Sequence, residues 1–192
     1  MIDLKREKKN FQNHVATFTD YGNIKILDFK RPDSNEYHIR FLFEEDYYRL
    51  HISGDLGELI ACNYKNMVFE LFEEHFTDNT GYFSTKIDCM NRAMYYYDEE
   101  QAIKDIMEYL GEECLEEMKE GGVDIELWFS NILIDFSEEF GIQSGGYDAL
   151  SDYIYEANEC VRDFGRVNTG ILELYMLAFK LAMKQLRERN NS

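Results

Sequence analysis

Proline is nearly absent from this 192-residue chain, occurring once at Pro32, so helices beyond that point run without imposed breaks. Tryptophan also occurs once, whereas Tyr and Phe are present 14 times each. No apolar run approaches the roughly 18 residues that a helical membrane span needs, and no membrane association is expected. Basic side chains are scarce: 20 Lys and Arg face 38 Asp and Glu, a net charge of −18. Free nucleic acid is therefore not expected as a direct ligand, because phosphate binding needs a local basic surface. The four cysteines, at 62, 89, 114 and 160, show neither a Cys-x-x-Cys motif nor metal-ligand spacing. Met1 to His14 contains no apolar signal segment. Free, buried thiols in a cytoplasmic protein are the expectation.

What is present is enough apolar material, 45% of the residues, for a sizeable core. Period-two alternation runs from Asn23 to about Asn63, through Ile24–Phe29, Tyr37–Phe43, Tyr48–Ile52 and Glu58–Cys62. It predicts three or four antiparallel strands in a meander. Past Asn66 the spacing becomes helical: a short helix at 67–76, a second at 82–94, and a longer one from the cap Asp98 to about Glu120. Asp124 caps a helix carrying Trp128, Phe129, Ile132, Leu133, Phe136 and Phe140. Residues 147–164 repeat apolar side chains at three-and-four spacing, and a last helix runs from about 170 to 187. The expected fold is α+β, with an N-terminal antiparallel sheet and short helices over 1–97. A bundle of four longer, acidic helices over 98–192 packs with it as one compact unit. Because the last helix is apolar on nearly every side, it is either central in the core or buried in a homodimer. In the dimer, its basic end (Lys180, Lys184, Arg187, Arg189) would meet the acidic region of a second copy.

The charge is concentrated. Residues 1–65 hold 11 acidic and 10 basic side chains, whereas residues 98–163 hold 20 and 3, a net of −17. Its densest run is Glu112, Glu113, Glu116, Glu117, Glu120 and Asp124. On a helix, Glu112, Glu116 and Glu120 repeat at i,i+4, as do Glu113 and Glu117, and each like pair costs about 0.2–0.5 kcal/mol. A solvated helix in an acidic protein is the alternative, although such a face more often interleaves Lys and Arg. This one reads as a rod of carboxylates facing a basic groove, and these six residues are the candidate partner-binding site.

Signals for catalysis are weak. There is no Gly-x-Ser-x-Gly, no phosphate-binding Gly-rich loop with Lys-Ser/Thr, and no His-Glu-x-x-His. No catalytic residue, cofactor or metal ligand is assigned. His38 and His51 fall on neighbouring strands and read as two hydrogen-bonded side chains rather than a metal pair. Asp28-Phe29-Lys30, with Asp20 upstream, fits the Asp-x-Lys pattern of metal-dependent nucleases and keeps that class open as an alternative.

Two short motifs carry a resemblance. Tyr48 to Gly57, with the turn Gly54-Asp55-Leu56-Gly57, is followed by Gly81-Tyr82-Phe83-Ser84-Thr85-Lys86. Together they resemble a group of uncharacterised phage and prophage proteins with a strand, a Gly-Asp-x-Gly turn, a second strand and a Tyr-Phe-x-x-Lys motif. The resemblance covers about residues 37–110. It implies a mobile-element origin and an α+β core, and it assigns no chemistry. The matched positions are Gly54, Asp55, Gly57, Tyr82, Phe83 and Lys86, with Asp55 and Lys86 expected to form a structural ion pair. In size and charge the chain is similar to small acidic phage proteins that inhibit host nucleases, including anti-CRISPR proteins and DNA mimics. That likeness implies an inhibitor in the bacterial host cytoplasm. Its partner would be a basic nucleic-acid-binding protein, such as a Cas9-type effector nuclease. A non-catalytic phage structural or regulatory protein is the alternative.

Overall fold

A computed structural model describes residues 2–190. The chain divides into two compact units, one formed by Met1–Met94 with Gly170–Ser192 and the other by Tyr95–Thr169.

The first unit is built on one six-stranded sheet: β1 (Val15–Asp20), β2 (Ile24–Lys30), β3 (Ile39–Glu44), β4 (Arg49–Gly54), β5 (Leu59–Cys62) and β6 (Ile87–Met90). The strands lie in chain order and every neighbouring pair is antiparallel. Alternation sends Leu27, Phe29, Ile39, Phe41, Phe43, Leu50 and Ile52 to one face, where each is essentially inaccessible. Against that face pack α2 (Phe69–Phe76), α3 (Thr80–Ser84) and the long α8 (Ile171–Asn190). Phe179 of α8 sits edge-on to Phe41 and Phe72, at centroid distances of 5.2 and 4.8 Å. The short α1 (Leu4–Asn10) is capped by Asp3, whose carboxylate accepts from the Lys5 and Arg6 amides, and it packs beside α8. The outer edge of β1 is partly closed by α8. The Gln185 amide accepts from Ala16 N–H and donates to the His14 carbonyl, and Arg189 donates to the Ala16 carbonyl.

The second unit begins and ends in a two-stranded ribbon, β7 (Tyr95–Tyr97) paired with β8 (Arg166–Asn168). Between them lie α4 (Glu99–Glu120), α5 (Ile125–Ile132), α6 (Ser144–Ser151) and α7 (Ala157–Cys160). A separate small core joins Ile106, Leu115, Met118, Trp128, Ile132, Leu150 and Val161. Asp98 caps α4 by accepting from Gln101 N–H, and Asp124 caps α5 by accepting from Leu127 N–H. Each such cap stabilises its helix by about 1 kcal/mol. At Gly146 a side chain would overlap the Ile132 carbonyl, so α5 and α6 approach backbone to backbone.

These findings correct the expected fold in two respects. The sheet has six strands, not three or four. β1 was missed because its alternation is faint: Ala16 is its one fully buried side chain. β6 was read as helix because Phe83, Ile87, Met90 and Met94 happen to fall at helical spacing. In fact α3 stops at Ser84, where Ser84 and Thr85 hydroxyls bond back to the Gly81 and Tyr82 carbonyls.

The C-terminal half is also not a four-helix bundle. α8 belongs to the sheet, and the helix expected at 147–164 breaks into two short pieces around Glu156, whose φ is +53°. The helix after Asp124 ends at Ile132.

Of the two places expected for the apolar last helix, the core is the one it occupies. Its surface is covered within the chain, since Leu174, Tyr175, Met176, Ala178, Phe179 and Ala182 are all buried in the sheet core. Its basic end is likewise engaged locally. Lys180 pairs with Asp78, Arg187 with Glu73, and Lys184 with Glu188 at 3.7 Å. The features that suggested a dimer through residues 170–187 are thus accounted for inside one chain. Among the described residues, no helix is long and apolar enough to cross a membrane.

Candidate functional site

The division into units sorts the charge. Tyr95–Thr169 carries 20 carboxylates against four basic side chains, a net of −16, while the other unit is close to neutral at −2. Among the described residues of the acidic unit, the one ion pair is Arg166–Asp163 at 3.1 Å. The guanidinium of Arg166 also lies 3.6 Å above the Tyr95 ring.

The candidate carboxylates lie on the second half of α4. At Gly111 the backbone leaves helical geometry (φ 76°, ψ 163°), a conformation open to glycine, and a new helical segment starts at Glu112. Leu115 and Met118 turn inward, leaving Glu112, Glu113, Glu116, Glu117 and Glu120 exposed. Five charges over eight residue steps of 1.5 Å rise give one carboxylate per ~3 Å of axis. A DNA strand carries one phosphate per about 3.4 Å. Asp124 is exposed too, but its carboxylate is used in capping α5.

Two further features of this unit escaped the sequence reading. One is a set of exposed apolar side chains among the carboxylates: Leu127, Ile134, Phe140 and Tyr155 are between 59% and 84% exposed. Phe140, expected as an apolar position of the helix after Asp124, lies beyond its end at Ile132. It sits instead at a tight turn where Ser137 and Gly141 exchange backbone hydrogen bonds and the Ser137 hydroxyl accepts from Phe140 N–H. The Ser137 and Gly141 flanks were the available signal. The other is a recess of about 390 Å³ at the start of α4, lined by Tyr97, Phe136 and Ser137 and by the carboxylates of Asp98, Glu99, Glu100 and Glu138. Burial, and then the nearby Tyr95 and Asp163, hold the Tyr97 phenol above its usual pKa, so it stays neutral there.

The residues of the two short motifs serve as scaffold, and the sheet sets them at opposite ends of β5: the Gly54–Gly57 turn at the Leu59 end and Lys86 at the Cys62 end, where its carbonyl accepts from Cys62 N–H. At Gly54 (φ +146°) a Cβ would collide with the His38 carbonyl oxygen. Asp55 then clamps the same point: its amide donates to His38 O at 3.0 Å and its carboxylate accepts from Tyr37 N–H at 2.9 Å. Gly57 (φ +119°) lies against Arg92, Asn91 and the Tyr175 hydroxyl. Phe83 is fully buried against Phe72 and Phe76, and Tyr82 stacks parallel on Phe76. Lys86 places its ammonium 4.5 Å over the Tyr82 ring. The expected Asp55–Lys86 ion pair does not form, because the two residues lie beyond opposite ends of β5.

The weaker chemical candidates separate. Asp28 is held by a bidentate contact from Arg40, at 2.7 and 3.0 Å. Asp20 lies three residues along β1 from Thr17, the partner of Asp28, so the two carboxylates face opposite sides of the sheet. His38 contacts the Asn35 carbonyl and His51 the Glu44 carboxylate at 2.9 Å. Among the described residues, no group of three or more His, Cys, Asp or Glu is placed to hold a metal. The four thiols are free, as expected, but they are not buried. Cys89 and Cys160 are exposed, and Cys62 donates to Asp88, which pushes its pKa up.

No family model, curated protein or solved structure matches this chain.

Proposed function

We propose that this protein is a phage-type inhibitor whose acidic unit binds a basic nucleic-acid groove on a host defence nuclease and keeps nucleic acid out. The observation that carries the proposal is the segregation of charge. A net −16 is confined to one unit, and its carboxylates have almost no basic neighbours within the chain. Self-repulsion of that kind costs stability and is relieved when a basic surface covers it. The row from Glu112 to Glu120 supplies phosphate-like spacing. Exposed Leu127, Ile134 and Phe140 supply apolar anchors that a polynucleotide lacks. The recess beside Glu99 and Glu138 suits an inserted Lys or Arg side chain. The short Gly-Asp-x-Gly and Tyr-Phe-x-x-Lys motifs support a mobile-element origin, and a Cas9-type effector, with its long basic channels, is the partner class of first choice.

The test is a DNA-cleavage assay with such an effector, with and without excess protein, at two salt concentrations. Inhibition should weaken as salt rises, because charge steering is screened. Charge reversal at Glu112, Glu116 and Glu120 should abolish it. Inhibition that survives the reversal would refute the carboxylate row as the binding surface. No inhibition at either salt would exclude this effector class.

A further inference from the structure

The nearly neutral unit has one strongly basic feature of its own. Between α1 and α8 lies a depression of about 500 Å³ rimmed by Lys5, Lys8, Lys9 and Lys184. Phe11, Phe29 and Leu181 form its apolar floor. Glu188 at the rim pairs with Lys184 at 3.7 Å. Among the described residues, Lys5, Lys8 and Lys9 have no carboxylate within 4.0 Å. A local excess of three positive charges therefore surrounds a single cavity in a protein of net −18. Helix electrostatics explain only part of this. Lys8 and Lys9 occupy the last turn of α1, where cations are favoured, but Lys5 sits in its first turn, where they are not, and Lys184 belongs to another helix.

We propose that this cavity binds a small phosphorylated molecule with a flat apolar body, of the nucleotide class. Its volume falls in the range of small-molecule sites, and an apolar floor with a few convergent polar groups is their usual lining. Lysine ammoniums are mobile point charges suited to phosphate, and they lack the planar fork that reads a base edge, so the site recognises phosphate rather than base identity. A polynucleotide is disfavoured, since the basic surface is limited to one depression of an otherwise acidic chain. A small anion is not: at physiological salt, charges more than about 8 Å away are largely screened.

The experiment is calorimetric titration of the full chain at physiological salt with adenosine monophosphate, inorganic phosphate and adenosine. Adenosine monophosphate should bind saturably, phosphate more weakly, and adenosine most weakly. Lys9→Gln and Lys184→Gln, both at exposed positions, should each weaken adenosine monophosphate about three- to tenfold without changing the melting temperature. The proposal is overturned if adenosine binds as well as its monophosphate, if neither lysine variant changes affinity, or if no probe binds. It is also overturned if sedimentation shows a dimer that the lysine variants dissolve, which would give these lysines to a second copy.

Discussion

Replacing Phe179 by alanine tests whether the last helix belongs to the sheet. The side chain is fully buried, and four rings surround it: Phe41, Phe43, Phe69 and Phe72, at centroid distances of 5.2, 6.3, 6.1 and 4.8 Å. Those neighbours come from a strand and a second helix, each held by other contacts, so the hole cannot close by the shift of one element. Truncating a buried phenylalanine costs about 3–5 kcal/mol, and a site that resists collapse lies toward the upper end. The Phe72 pair should contribute a coupling of about 0.5–1.5 kcal/mol in a double-mutant cycle, because it is close and tilted toward edge-on. Urea unfolding followed by far-ultraviolet circular dichroism is the assay. With a slope of roughly 2 kcal/mol per molar urea, the midpoint should fall by about 2 M. The native emission of Trp128, which lies in the other core, should not change, and Lys184→Ala should stay within about 0.5 kcal/mol of wild type. A loss below about 1 kcal/mol, or an altered Trp128 emission, would place α8 with the acidic helices and refute the packing described.

Gly54→Ala should cost at least about 2 kcal/mol, since it adds both an unfavourable φ and an overlap with a backbone oxygen; a variant melting with wild type would disprove the turn geometry. Tyr175 donates its hydroxyl to the Leu56 carbonyl at 3.1 Å, and burial pushes its pKa up from 10.0 to about 12. The folded state therefore retains the phenolic proton that the unfolded chain releases, so stability from this group is present below pH 10 and falls progressively as pH rises toward 12. Alkaline unfolding of Tyr175→Phe should lack that component, and identical alkaline profiles would contradict it. Glu116→Gln removes two like-charge i,i+4 neighbours, Glu112 and Glu120. It should stabilise the acidic unit by about 0.4–1 kcal/mol at low salt and less at high salt, read from thermal melts. Destabilisation would mean that Glu116 has a favourable partner.

The sequence alone was sufficient for whatever is written locally and repeatedly. Four of the six strands were legible from period-two alternation, because one face of each is fully buried. Asp98 and Asp124 were legible as caps because a short carboxylate ahead of an apolar-periodic run has one favourable use. The charge concentration was a matter of counting. What the sequence could not determine was which segments meet. Residues 171–190 are apolar on most sides whether they join a bundle, a dimer or a sheet, and only the uncovered face of a distant strand meander selects the last. The same holds for β6, whose four residues pair with β5 despite helical spacing, and for Phe140, which a tight turn carries out of the core that its apolar neighbours enter. The basic cavity is assembled in the same way from α1 and α8, whose lysines are about 175 residues apart in the chain. Periodicity reports the environment a residue needs, and only the tertiary structure decides which partner provides it.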